Sequence, residues 1–410
     1  MPHCHDRSVP RRRVNAGDTR IDRRGRQTSV PAILSYGFRP FFLLGAAYAA
    51  LLVPLWIWAF LESTTVPGNM VGVAWHRHEM LFGYLAAVMA GFVLTAVPNW
   101  TGRLPISGMR LLVLTGLWFL GRIAMSVHFD PLVAALADLA FPSVLAAAVW
   151  REILAGRNYR NIPVGLLLTI FGLANLLDHA GQVLPPLADY GIRMVLSVAA
   201  MMIALIGGRV TPSFTRNWMA RHDKMPLPMP FGRLDQLALA ASAIGLLLWV
   251  IAPDIAPTGV ALILAGLLLL ARLVRWRGHR AMKEPIVLIL HLGYLWLAVA
   301  LCLLGIANVD AAIVPVSAAI HALAAGAIGT MTLAIMTRAS RGHTGRPISA
   351  DAGTLLIYVL ASAGAVSRVS ASFFLDLYEP LIIFGGTLWS LTFATFVVAY
   401  APMLMRRSAR

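Results

Sequence analysis

The sequence has few charged residues, few acidic residues and almost no cysteine. Charged residues fill 13% of the 410 positions, whereas 59% are hydrophobic. A soluble protein would carry roughly twice that charged fraction. The two cysteines, Cys4 and Cys302, lie in a basic amino-terminal tail and inside an apolar stretch, so no disulfide is expected. The first 30 residues lack the apolar region of a signal peptide.

Apolar stretches long enough to cross a bilayer recur along the chain. The sequence predicts twelve spans: 41–60, 72–97, 109–127, 131–150, 163–182, 189–207, 235–252, 256–273, 285–305, 312–336, 352–370 and 380–404. No stretch remains for a soluble domain. We therefore expect a basic cytoplasmic tail over 1–34 and an all-α membrane domain of twelve transmembrane helices over 35–410.

The basic residues are distributed unevenly between the predicted loops. Thirty of the 34 Lys and Arg residues lie before the first span, at or after the ends of even-numbered spans, or at the carboxy-terminus. By the positive-inside rule, both termini are expected in the cytoplasm. The net charge of +16 thus reflects topology, and a nucleic-acid partner is not expected. The lipid bilayer is the expected partner of the basic face.

Carboxylates are scarce within the predicted spans. Apart from Asp189 at the edge of span six, they are Glu79, Asp138, Asp178 and Asp235, and only Asp138 lies deep in its span. A proton pump needs a series of such groups leading from the cytoplasm. Vectorial proton pumping is therefore not expected.

Two distant segments share a spacing that involves histidine. His78 and His321 are each followed 23 positions later by Thr-Gly-Arg, at 101–103 and 344–346. Both histidines lie on the order of 10 Å into their spans, counted at ~1.5 Å per residue from the periplasmic side. Matching depth on spans two and ten suits an iron or other metal bound by two imidazoles. The alternative is two core histidines, each bonded to a backbone carbonyl.

The spacing also predicts an internal repeat. Spans two and ten are eight apart, and the end of span six shares a Pro-x-[aromatic]-Thr element with span two, at Pro212 and Pro98. Three four-helix repeats in a ring are therefore expected. This arrangement resembles subunit one of the haem–copper oxidases, whose helices two and ten carry facing haem ligands. Span six here has no histidine at the shared position, so the resemblance is architectural.

Four motifs resemble those of the NnrS family of bacterial membrane proteins. They are Tyr-Gly-Phe-Arg-Pro at 36–40, Trp-His-Arg-His-Glu-Met at 75–80, Pro-Asn-Trp-Thr-Gly at 98–102, and Arg-Gly-His-Thr-Gly-Arg-Pro at 341–347. The resemblance runs from about residue 35 to the carboxy-terminus. It implies haem b as a cofactor, with copper as an additional option, and a role in nitric oxide metabolism or protection from nitrosative stress. The sequence lacks Cys-x-x-Cys-His, so any haem would be held without covalent attachment.

Three more histidines are candidate metal ligands. His76 lies about 200° around the helix from His78, one turn from Met80, and imidazole with thioether suits copper. His291 lies deep in span nine beside Tyr294, where a second metal with an open position is expected. His179 follows Asp178 at the end of span five, an arrangement common around bound metals. Interfacial packing or helix-to-helix hydrogen bonds are the alternatives.

Arginines on the periplasmic side depart from the charge asymmetry and need a reason. Arg77, Arg122 and Arg368 are candidate partners of the haem propionates, because a guanidinium pairs with carboxylates in a planar, bidentate way. The alternative is contact with lipid phosphate. Arg193 is expected to pair with Asp189.

These residues predict a membrane protein that binds or turns over nitric oxide or a similar diatomic gas, with an electron donor still to be identified. Whether it is an oxidoreductase is left open. The rival interpretation is a transporter for a small anion or metal complex, because internal repeats and buried polar groups also suit a transporter.

Overall fold

The computed structural model describes residues 30–407, and every regular element in that range is helical. The predicted tail, except for its last five residues, lies outside the described residues. Twelve helices are long and apolar enough to cross a membrane. They are α1 (Phe38–Leu61), α2 (Gly72–Thr101), α3 (Met109–Ser126), α4 (Pro131–Ala155), α5 (Tyr159–Ala180), α6 (Pro185–Arg221), α7 (Arg233–Ile251), α8 (Ala256–Val274), α9 (Pro285–Val309), α10 (Val316–His343), α11 (Ala352–Ala371) and α12 (Leu375–Met405).

The twelve predicted spans are confirmed, and most of their ends fall close to the helix ends. Two helices run further than predicted: α6 continues to Arg221 and α10 to His343. Helical hydrogen bonding continues there past the apolar stretch into a polar segment, which a hydropathy window excludes. By contrast, α2 stops at Gly102, whose φ of 69° is a left-handed conformation that suits glycine.

Proline and aspartate mark several helix starts. Pro131, Pro185 and Pro285 each begin a helix, where the missing N–H removes no intrahelical bond. The side chain of Asp130 also accepts hydrogen bonds from two backbone N–H groups of the first turn of α4. These local signals set the lengths of the short loops between spans.

Four helices form the interior of the bundle. In each of α2, α6, α9 and α10, at least 61% of the residues in an apolar 18-residue stretch of the helix are buried, against at most 44% in each of the other eight helices. Three of these four also contain a π-helical segment, at Glu79–Leu85, Ile203–Gly207 and Ala322–Gly329. These segments lie four spans apart, which is the period of the predicted repeat; the repeat and its ring arrangement stay predictions.

The first and last helices pack against each other. The Arg39 side chain in α1 donates hydrogen bonds to the backbone carbonyls of Met403, Leu404 and Arg406, at 3.2, 2.7 and 2.9 Å. A buried guanidinium thus supplies partners for carbonyls at the end of α12 that have no helical partner. The amino-terminal and carboxy-terminal ends of the membrane domain are joined in this way.

The loop between α1 and α2, residues 62–71, tests the orientation of the whole bundle. We expect Thr65→Cys, in a background with Cys4→Ser and Cys302→Ala, to react with a membrane-impermeant maleimide in intact cells. The reason is the excess of basic residues on the opposite face, which the positive-inside rule assigns to the cytoplasm. Labelling is measured by mass shift of the purified protein.

A cysteine on the other face is the matched control. Lys224→Cys lies in the exposed loop between α6 and α7 and should react only after lysis. The reverse pattern, with Lys224→Cys labelled in intact cells and Thr65→Cys protected, would invert the predicted topology.

Candidate functional site

Two histidines and two aspartates meet where α2, α4 and α5 pack together. They are His78, Asp138, Asp178 and His179, which we call the His–Asp cluster. None of these four side chains is more than 8% exposed. Polar side chains this deeply buried in a membrane protein need partners.

The cluster brings two imidazoles to one carboxylate oxygen. Nδ1 of His78 lies 2.7 Å from Oδ2 of Asp178, and Nε2 of His179 lies 3.1 Å from Oδ2 of Asp138. Nε2 of His78 lies 3.3 Å from that same Asp138 oxygen but forms no hydrogen bond with it or with any other described atom. The two imidazole rings stand edge to face, 5.1 Å apart.

Arg122 on α3 connects the cluster to α1 and α2. Its guanidinium donates hydrogen bonds to Oε2 of Glu79 and to Oδ1 of Asp138. The Tyr48 hydroxyl donates to the same Glu79 oxygen. Arg122 is 5% exposed and Glu79 is fully buried. One buried cation therefore pairs with two buried anions and holds α1 to α4 together.

Two glycines make room for this ion pairing. A Cβ atom at Gly121 would lie 2.9 Å from Oδ1 of Asp138. At Gly83 it would lie 2.7 Å from Oε2 of Glu79 and 3.0 Å from Nη1 of Arg122. Small residues at these positions allow the helices to approach closely enough for the charges to touch.

A second polar region faces a large cavity of about 840 Å³, which we call the central cavity. Residues from α1, α2, α6, α7 and α9–α12 line it, and most of them are apolar. Pockets for small-molecule cofactors occupy about 300–1,000 Å³ and have mostly apolar walls with a few polar groups. The central cavity falls within that range.

His76 and His321 both line the central cavity. Nδ1 of His321 donates a hydrogen bond to the Ser317 carbonyl at 2.7 Å, so the lone pair of this imidazole resides on Nε2. The His76 ring stacks on Trp56 at 4.9 Å, and its Nδ1 is buried without a hydrogen-bond partner. Two imidazoles from helices at opposite ends of the chain thus share one space.

Three arginines border the same cavity: Arg77, Arg193 and Arg368. Arg77 lies 3.5 Å from Asp189 and 4.0 Å from Asp178. Nε of Arg193 is buried without a hydrogen-bond partner, and its guanidinium lies 5.0 Å from the centre of the Tyr190 ring. The hydrogen bonds of the Arg368 side chain to described residues go to serine hydroxyls. Two guanidiniums in the cavity wall therefore have no carboxylate partner in the described chain, which favours an anionic ligand group.

The family model described as "NnrS protein" matches residues 32–408 of this chain, nearly its whole length. The chain belongs to the NnrS protein family. A comparison with curated individual proteins gives no match. The family, and not a single relative, is therefore the basis for relating this NnrS chain to known proteins.

The structure does not bring His78 and His321 together. Both directly precede a π-helical segment, so their positions along the helix are equivalent, as the shared spacing predicts. Their surroundings differ, because His78 points into the His–Asp cluster and His321 faces the central cavity. The residue that shares the cavity with His321 is His76. The spacing counts residues along the chain and does not tell which face of α2 points inward.

The predicted propionate partners are divided between the two regions. Arg77 and Arg368 line the central cavity, as expected for residues that contact a ligand there. Arg122 lies in the buried ion pairs with Glu79 and Asp138 and is not a cavity residue. Arg122 pairs with Asp138, a buried carboxylate of the protein itself. The sequence alone does not show whether an arginine in a span will pair with such a carboxylate or with a carboxylate of a ligand.

The remaining predicted ligands lie in different surroundings. His179 joins the His–Asp cluster, while Met80 lines the central cavity with His76. His291 lies apart: its Nε2 is 2.8 Å from the Thr215 hydroxyl, and its ring meets Trp276 edge to face. Among the described residues, His291 belongs to no group of three metal-binding side chains.

Sequence reasoning missed two contributors. Arg193 was assigned to Asp189, yet no contact joins them among the described residues, and Arg193 lines the central cavity. Asn175 received no role, although its Nδ2 donates to Oδ2 of Asp138 at 2.8 Å. The signal for Asn175 was available, because it lies one helical turn before His179 on the same face of α5.

Arg122 is expected to hold the fold together. We expect Arg122→Met to lower the apparent melting temperature by several degrees, because removing one partner of a buried pair costs about 3–5 kcal/mol. The uncompensated charges are those of Glu79 and Asp138. The measurement is the loss of the monodisperse peak in detergent after heating, followed by size-exclusion chromatography.

Arg110→Met is the matched control, because Arg110 is an exposed residue at the start of the same helix. Adding Glu79→Gln to Arg122→Met should recover part of the stability by removing one unpaired charge. If Arg122→Met melted like Arg110→Met, the buried ion pairs would not be holding α1 to α4 together.

Proposed function

We propose that this NnrS family member binds haem in the central cavity and binds or turns over nitric oxide at a bacterial inner membrane, as part of the response to nitrosative stress. The observation that carries the proposal is that His76 and His321 line one large, mostly apolar cavity. Family membership supports the link to nitric oxide.

The two histidines lie at matching depth. His76 is the fifth residue of α2 and His321 the sixth of α10, so each lies roughly 6–8 Å along its helix at ~1.5 Å per residue. Odd and even spans run in opposite directions, and α2 and α10 therefore start at the same face. This pair would therefore hold a haem between α2 and α10.

The imidazoles have the chemical form that a metal ligand needs. The Ser317 carbonyl holds the His321 proton on Nδ1 and leaves Nε2 as the donor atom. His76 has a buried nitrogen without a partner and a ring fixed by stacking on Trp56. The contacts with Ser317 and Trp56 would hold the two rings while they bound a haem iron.

The arginines suit the two carboxylates that haem carries. Arg193 and Arg368 have no carboxylate partner in the described chain, and each guanidinium can bind one propionate in a bidentate way. Arg77 already pairs with Asp178 and Asp189, so its positive charge would act on the propionates through space and not through a direct contact. Residues 193 and 368 are thus the proposed propionate partners, in place of 122.

A bound haem would supply a redox-active iron, and the chain supplies its surroundings. Apolar residues such as Leu81, Leu196 and Ile328 line the cavity and exclude water. Nitric oxide is uncharged and partitions into the bilayer, so a protein built almost wholly of spans can receive it without a soluble domain. Copper is proposed as a second, separate cofactor, and an electron donor remains to be identified.

Haem content tests the ligand pair. We expect His76→Ala and His321→Ala each to lower the haem-to-protein ratio of the purified protein severalfold, or to convert a low-spin spectrum to a high-spin one, because each removes one of the two imidazoles that would hold the haem. The measurements are the pyridine haemochrome assay and the Soret region of the oxidised protein.

His128→Ala is the control, since His128 is exposed in the loop after α3. Wild-type haem content and spectra in both cavity variants would contradict the proposal. A colourless wild-type protein from haem-replete cells would instead favour the transport of a small anion, which the same arginines could bind.

The gas ligand tests the reaction. We expect nitric oxide to shift the Soret band of the dithionite-reduced wild type, and His291→Ala to keep that shift, because His291 lies outside the central cavity. The shift should differ in His321→Ala with residual haem, since one of the two imidazoles that would hold the haem is then missing. Loss of the shift in His291→Ala alone would support the sequence-based assignment of the gas site to His291.

A further inference from the structure

We propose that the His–Asp cluster is a second, separate metal site, in which His78, His179 and Asp138 bind one divalent transition-metal ion. The site lies on α2, α4 and α5 and shares no ligand with the central cavity. It does not depend on haem binding, so the two proposals can fail independently.

The donor atoms are spaced like ligands of a single ion. Zinc binds imidazole nitrogen and carboxylate oxygen at about 2.0–2.2 Å, which puts two ligands of a tetrahedral ion roughly 3.3 Å apart. The observed separations from Oδ2 of Asp138 are 3.3 Å to His78 and 3.1 Å to His179. All three donor atoms lie within 4.8 Å of one another.

His78 has a nitrogen without any other function. Its side chain is fully buried, and Nε2 has no hydrogen-bond partner. The Asp178 carboxylate accepts from Nδ1 at 2.7 Å, which leaves the lone pair on Nε2, directed toward Asp138 and His179. A carboxylate behind a histidine that points its other nitrogen into a donor set is the usual arrangement around bound metal ions.

The neighbours of Asp138 hold its carboxylate in place for this role. Arg122 binds Oδ1, and Asn175 donates to Oδ2 at 2.8 Å. Oδ2 therefore stays turned toward both imidazoles. The Oδ1 atom of Asn175 is buried without a partner, so it is an unused hydrogen-bond acceptor beside the donor atoms.

The charge of the connected buried ion pairs also favours a bound cation. Three buried carboxylates and two guanidiniums form one set linked through His78: Glu79, Asp138, Asp178, Arg77 and Arg122. Asp189 also pairs with Arg77, but its side chain is 64% exposed and its charge is solvated. With both imidazoles neutral, the buried set carries one excess negative charge, which a metal ion bound among the donor atoms would offset.

The donor set selects the class of metal. Two imidazoles and one carboxylate suit borderline ions such as Zn²⁺, Cu²⁺ or Fe²⁺, while Mg²⁺ and Ca²⁺ prefer oxygen ligands. Three protein ligands leave at least one position open for water or substrate. The site therefore has the ligand count of a reactive metal centre and not that of a closed structural one.

Copper(II) is the probe for this site, because its electron paramagnetic resonance spectrum reports bound nitrogen. The protein carries His3→Ala, Cys4→Ala and His5→Ala, which remove competing ligands in the tail, and is washed with chelator. We expect one Cu²⁺ per chain, with splitting from two imidazole nitrogens. His179→Ala should reduce the splitting to one nitrogen or abolish binding, at unchanged haem content.

Asp178→Asn keeps the shape of the side chain and removes only the charge behind His78. We expect it to weaken Cu²⁺ binding by about 10–100-fold, which gives a second reading if His179→Ala fails to fold. His291→Ala is the control and should bind copper like wild type. Absence of stoichiometric copper, or wild-type spectra in both cluster variants, would overturn the metal site and leave a protonated ion network in its place.

Discussion

The buried charge on Arg122 constrains the amino-terminal half of the bundle more than any other single group. In lipid it needs anionic partners, and both of them, Glu79 and Asp138, come from other helices. Glycine at positions 83 and 121 permits this pairing, because a larger residue at either position would crowd the carboxylate of Glu79 or Asp138. The position of α2 against α3 and α4 follows from this pairing, and with it the direction in which the histidines of α2 point.

One turn of α2 serves two different surroundings. Residues 76 and 78 lie about 200° apart on the helix, so one faces the central cavity and the other faces the His–Asp cluster. Arg77 lies between them and touches Asp178, which in turn holds His78. A change of charge in the central cavity would therefore alter the electrostatic potential at His78 through the Arg77–Asp178 and Asp178–His78 contacts, without movement of a helix.

Sequence predicted the membrane fold well and the site less well, for separate physical reasons. Hydrophobic length and loop charge are local quantities, and the twelve spans follow from them. Which histidine of α2 faces the central cavity together with His321 depends on the rotation of α2 about its axis. That rotation depends in turn on the position of Arg122, with which Glu79 pairs. The position of Arg193 in the cavity wall could not be predicted, because the wall is built from eight helices and no sequence pattern along α6 shows which of its residues face the cavity.

Pairing between Arg39 and the last carbonyls of α12 bears on how the protein is made. The cavity walls come from α1 and α2 at one end of the chain and from α10 to α12 at the other. During co-translational insertion, α1 and α2 enter the membrane long before α10 to α12. The wall of the central cavity is incomplete until the last of these helices has been inserted. Any large ligand of the cavity must then be acquired at the final stage of biogenesis, when the carboxy-terminal helix docks on the first.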